Sequence, residues 1–151
     1  MQNTDYFKKL QNCIICSVNN KRVVIEENGR EFIIENFDCK KLEKVRVDGC
    51  LITSGIKCDY SVIVDRNSQD LNSVYLIELK GSDAKHGYKQ LLQTYNFFIS
   101  NFQFTSMHLR IVFTKDSKPQ LKSPAEKMIS KLVAEKKITF KKKSGDMTEK
   151  I

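Results

Sequence analysis

The chain has 151 residues, 40% of them hydrophobic and 29% charged, which fits one domain with room for a real core. No run is long and apolar enough to span a membrane, and the start, from Met1 to Cys13, lacks a signal peptide's basic stretch and apolar core. An intracellular protein, cytoplasmic or nuclear, is therefore expected.

The formal net charge is +8 and uneven, since residues 115–151 carry eleven lysines against five acids. A basic domain attracts polyanions, of which nucleic acid is the commonest. The bland alternative is a solvated, lysine-rich surface.

Asp5 to about Val18 reads as a short helix or a strand, with nothing to decide between them. Arg22 to Ile25 and Glu31 to Ile34 flank Asn28-Gly29, a strong hairpin signal because both residues tolerate positive φ. A third strand is expected from Lys44 to Ile52, followed by a turn at Thr53-Ser54-Gly55. Asp59 to Val64 and Val74 to Leu79 are the next strands, joined by a polar link. Lys85 to about Asn101 repeats apolar residues at helical spacing, including Tyr88, Leu91, Tyr95 and Phe98. His108 to Thr114 is another strand. Ser123-Pro124 opens a helix, with serine as N-cap and proline in the first helical turn, running to about Glu135. Lys137 to Lys141 forms a last strand, and residues 144–151 read as a flexible tail. Strands followed by helix, strand and helix give an α/β domain with a mixed central sheet flanked by helices.

The five cysteines, Cys13, Cys16, Cys39, Cys50 and Cys58, are odd in number and irregular in spacing, which argues against a disulfide framework. Cys13-Ile14-Ile15-Cys16 has the spacing of half a zinc site, but no second Cys or His pair follows. Buried free thiols are expected instead.

Lys57 to Tyr95 carries the chemistry. Asp59 opens one apolar run, and Glu78-Leu79-Lys80 closes the next. Residues two apart on a strand share a face, so Glu78 and Lys80 emerge together with Leu76 behind them, while Tyr75, Ile77 and Leu79 point the other way. If the two strands pair with these ends aligned, Asp59 and Glu78 can share a magnesium ion. Such an ion polarises a phosphate and activates water, and Lys80 can orient that water or neutralise developing charge. The same spacing at Glu135-Lys136-Lys137 is a built-in control. It sits at a helix end and lacks both the apolar strand and the preceding acid.

With Lys57-Cys58-Asp59, Ile77-Glu78-Leu79-Lys80-Gly81 and Gln90-Leu91 in this order, Lys44 to Thr114 resembles the PD-(D/E)xK nuclease superfamily, of restriction-endonuclease-like fold. The resemblance implies a magnesium-dependent endonuclease (manganese substituting) acting on DNA. It implies Asp59, Glu78 and the Leu79 carbonyl as metal ligands, Lys80 as the catalytic lysine, and Gln90 contacting the phosphate backbone or bracing the site. A further acid upstream is expected, with Glu43 and Asp48 as candidates. Small nucleases of this type commonly form homodimers. The alternatives are a nuclease-like module that grips nucleic acid or protein without cutting, and an assembly protein whose charge is incidental.

Overall fold

The computed structural model describes residues 4–80, 84–114 and 122–151. Its elements are α1 (Thr4–Asn12), β1 (Ile14–Val18), β2 (Arg22–Glu27), β3 (Arg30–Glu35), β4 (Leu42–Arg46), β5 (Tyr60–Val64), β6 (Ser73–Lys80), α2 (Ala84–Asn101), β7 (Ser106–Phe113), α3 (Pro124–Ala134), β8 (Thr139–Ser144) and β9 (Met147–Lys150). The six-stranded sheet runs β1-β4-β5-β6-β7-β8, and a three-stranded sheet runs β2-β3-β9. In the larger sheet β4, β5 and β6 form an antiparallel meander, after which α2 crosses over so that β7 runs parallel to β6. The protein is thus mixed α/β, and no helix among the described residues is long and apolar enough to cross a membrane.

The side-chain alternation along the central strands sorts the core into two layers. Leu76, Leu109 and Ile111 pack with Leu10, Leu91, Phe98 and Ile129 of the helices. Tyr75, Ile77, Leu79 and Val112 pack on the other face against Ile25, Phe32 and Ile34 of the smaller sheet. Helices therefore cover one face and a second sheet covers the other.

Local signals match the structure closely. Asn28 (φ 54°) and Gly29 (φ 74°) make the β2–β3 turn in the left-handed geometry that hairpins require. The Ser123 hydroxyl accepts the Glu126 amide at 3.2 Å and caps α3. Glu135-Lys136-Lys137 lies at the end of that helix, where Lys136 adopts φ 57°.

Four expectations change. The undecided first segment is both a helix, α1, and a strand, β1. The third strand stops at Arg46, because Val47 to Ile52 folds into a tight turn in which the Ile52 amide bonds the Val47 carbonyl. The residues read as a tail complete β8 and form β9, which adds to β3 in parallel. Cys13 and Cys50, expected as free thiols, form a disulfide, because that turn brings Cys50 beside the end of α1 with the Cα atoms 5.7 Å apart. Cys16, Cys39 and Cys58 are free.

Candidate active site

The β5–β6 ladder pairs Tyr60 with Ile77, so one step further sets Asp59 opposite Glu78. Two reciprocal bonds hold the acids there. The Asp59 amide donates to Glu78 Oε2 at 3.1 Å, and the Leu79 amide donates to Asp59 Oδ2 at 2.9 Å. Lys80 Nζ stands 3.7 Å from Glu78 Oε1. The three side chains singled out in the sequence thus gather at one end of adjoining strands. Because the Leu79 amide faces Asp59, its carbonyl leaves the backbone on the same side.

Glu78 is only 2% exposed. Burial, then the charge of Asp59, pushes its pKa up to about 8 against the pull of Lys80. Burial raises Asp59 to about 6, with the Leu79 amide opposing. Glu27 also raises both acids, and Asp48 adds to the effect on Asp59. Two desolvated carboxylates with one ammonium between them are short of positive charge.

Helix α2 braces the approach to Asp59. Gln90 Nε2 donates to the Lys57 carbonyl at 3.0 Å, and Thr94 Oγ1 accepts the Cys58 amide at 2.8 Å. Gln90 Oε1 is buried and has no partner among the described residues. Cys58 is fully buried, and its thiol is raised by burial and then by Glu78, so it stays protonated. Tyr88, Tyr95 and Phe98, the apolar residues at helical spacing, are buried in the core. Residues 81–83, which include Gly81 at the end of the Ile77–Gly81 motif, lie outside the described residues.

The two upstream acids part company. Glu43 is clamped by Arg66 through both carboxylate oxygens and sits opposite Ile63, further down the β4–β5 ladder from Asp59. It is a structural ion pair and not part of the site. Asp48 lies in the β4–β5 turn, 3.5 Å from Lys57 Nζ, and Gly49 beside it (φ 79°) supplies the left-handed step of that turn.

The acid missed in the sequence is Glu27. The tip of the β2–β3 hairpin lies over the site end of the sheet, where Arg30 Nη2 donates to Thr114 Oγ1 at 2.9 Å just beyond β7. That places Glu27 where its charge reaches Asp59, Tyr60 and Glu78. Its only sequence signal was its place beside Asn28-Gly29, which says nothing of where the hairpin folds.

Among the described residues no three His, Cys, Asp or Glu side chains converge closely enough to enclose a metal. A cation here would rest on Asp59, Glu78 and the Leu79 carbonyl, with water and phosphate completing its shell. That all-oxygen set suits magnesium, which is commonly held by one or two carboxylates. Comparison of the chain with protein-family models, with curated proteins and with solved structures gives no match.

Proposed function

We propose that this protein is a metal-dependent nuclease that hydrolyses phosphodiester bonds in DNA. The observation that carries the reading is the cross-strand pairing of Asp59 with Glu78, locked by reciprocal main-chain bonds and flanked by Lys80. The mixed α/β sheet with helices packed on one face adds support, because the PD-(D/E)xK resemblance implies a mixed central sheet flanked by helices. The net charge of +8 favours a polyanionic substrate.

Magnesium or manganese on Asp59 and Glu78 would supply Lewis acidity toward a phosphate oxygen. The residues themselves do the rest. The Leu79 amide fixes the Asp59 rotamer, and the Asp59 amide fixes Glu78. Lys80, tethered to Glu78, presents an ammonium where charge develops on the phosphorus-bound oxygens. Gln90 holds the Lys57 carbonyl and so keeps the chain leading into Asp59 in place.

Purified protein should nick or cut DNA in magnesium or manganese and stay inert in EDTA. Lys80→Ala should lower the rate on the order of 100-fold or more, and Glu78→Gln should abolish both cutting and manganese binding measured by calorimetry. Undiminished cutting by Lys80→Ala would overturn the assignment. Salt-sensitive DNA binding without cutting under any divalent cation would mark a binding module instead.

A further inference from the structure

We propose that the Cys13–Cys50 disulfide is a redox switch on the Asp59–Glu78 pair, which is held in place when the bond is formed and loosened when it is reduced. The inference rests on the nuclease reading only for what the pair does. Cys50 belongs to the tight turn of residues 47–52, and that same turn holds Asp59. The Val47 and Asp48 amides both donate to the Asp59 carbonyl, at 3.1 Å and 3.4 Å. The Asp48 carboxylate lies 3.5 Å from Lys57 Nζ, two residues ahead of Asp59. The Asp59 amide then orients Glu78, and the Asp59 carboxylate accepts the Leu79 amide. A single covalent bond to α1 thus stands behind every main-chain contact that the turn makes with the site.

The two sulfurs are unequally placed. Cys13 is 4% exposed in the helix-side core, and its carbonyl accepts the Arg46 amide at 2.9 Å, so the end of β4 keeps it fixed. Cys50 is only partly buried, beside the exposed Gly49. Two separate thiols need more room than a bonded pair of sulfurs, and a close-packed core does not yield it. The turn moves instead, and it draws the Val47 and Asp48 amides off the Asp59 carbonyl. The chain also keeps Cys16, Cys39 and Cys58 as thiols, Cys39 exposed, which is not the pattern of a scaffold stapled by disulfides. A domain with two core layers does not depend on a cross-link to fold. Reduction by a dithiol begins at the accessible sulfur. The reagent's thiolate attacks Cys50 Sγ, the bond to Cys13 breaks, and Cys13 leaves as a thiolate that takes up a proton. The reagent's second thiol then displaces Cys50 as a thiol and closes the reagent into its own disulfide, so two electrons pass to the protein.

Amide hydrogen exchange on the oxidised chain, and on the chain reduced by a dithiol and freed of the reagent, reads the switch without metal. On reduction the Val47, Asp48, Asp59 and Leu79 amides should lose protection, while Leu76 and Leu109, paired in the middle of β6 and β7, keep theirs. Manganese affinity and DNA cutting should fall together on the order of tenfold or more and return on reoxidation. In a Cys16→Ser, Cys39→Ser background the response should persist, and adding Cys50→Ser should fix the chain in the reduced behaviour. Unchanged exchange at Val47, Asp48, Asp59 and Leu79 would overturn the proposal. So would exchange that rises equally at Leu76 and Leu109, a dithiol response that survives Cys50→Ser, or measurable manganese binding that is equal in both forms. A chain that neither cuts nor binds manganese, while its Asp59 and Leu79 amides answer to the dithiol, would overturn the nuclease reading and leave the switch standing.

Discussion

Glu78 is buried beside a second carboxylate, and that arrangement has a measurable consequence in the metal-free protein. Its pKa is raised from 4.5 to about 8, and that of Asp59 from 3.8 to about 6. A group whose folded pKa is raised favours the folded state most where both states are protonated. The stability it allows is therefore full below about pH 4.5 and is lost as pH rises through about 8. Glu78→Gln cannot ionise and escapes this loss. In EDTA, the variant should match the wild type near pH 4.5 and exceed it by a few kcal/mol at pH 8, since each pKa unit is worth ~1.4 kcal/mol. Urea unfolding at several pH values measures the difference, and manganese should close the gap by stabilising only the wild type. A difference that does not change with pH would mean the carboxyl is not desolvated. At this scale Asp59, Glu78 and Lys80 were legible because strand alternation fixes which side chains share a face. Glu27 was not, because its nearness depends on how a remote hairpin folds back.

Helix α2 carries Gln90 and Thr94 to the site, and its distance from the sheet is set at Gly87. A Cβ at that position would lie 2.3 Å from Ile111 Cδ1 and 3.4 Å from Lys80 Cγ. Gly87→Ala should therefore press on β7 and displace the stem of Lys80, with overpacking of about 1–3 kcal/mol outweighing the gain of up to about 1 kcal/mol in helix propensity. Ile111→Val removes the obstructing methyl, and in the Gly87→Ala background it should restore most of the lost stability. The double-mutant cycle should show a coupling of about 1 kcal/mol, and strict additivity would refute the steric account. Elements with a local cause were the readable ones. The Asn28-Gly29 turn and the Ser123 cap need only their neighbours. β9 was unreadable for the opposite reason. Met147-Thr148-Glu149-Lys150 has no apolar run of its own and becomes a strand because Phe32 to Glu35, more than a hundred residues away, offer an edge. The Cys13–Cys50 disulfide is hidden in the same way, since it needs the turn after β4 to be in place first.

At the scale of the whole molecule, one ion pair ties the two sheets together. Arg110 on β7 is 2% exposed and points into the layer between the sheets, where its Nε and Nη2 donate to Glu149 Oε2 and Oε1 of β9, each at 2.6 Å. Thr139 Oγ1 takes a further bond from the guanidinium, and Lys141 adds a second positive charge 3.4 Å from Glu149. Burial works to raise Glu149, but the Arg110 bonds and charge, with Lys141, outweigh it and leave the pKa lowered. The pair therefore contributes stability above the ordinary glutamate pKa and loses it as pH falls through the lowered value. Removing one partner leaves an uncompensated buried charge, so Glu149→Ala should cost about 3–5 kcal/mol and free β9 from β3. Replacing both, as Arg110→Met with Glu149→Leu, should cost far less, because the polar groups depart together and the apolar pair fills the layer. Urea unfolding of the two variants, with hydrogen exchange at Thr148 to Lys150, checks both outcomes. A double variant as unstable as Glu149→Ala would show that the layer depends on the charges themselves. Equal stability of both variants with the wild type would show that β9 is held by its backbone ladder alone, and that the smaller sheet could be laid over the site without the ion pair.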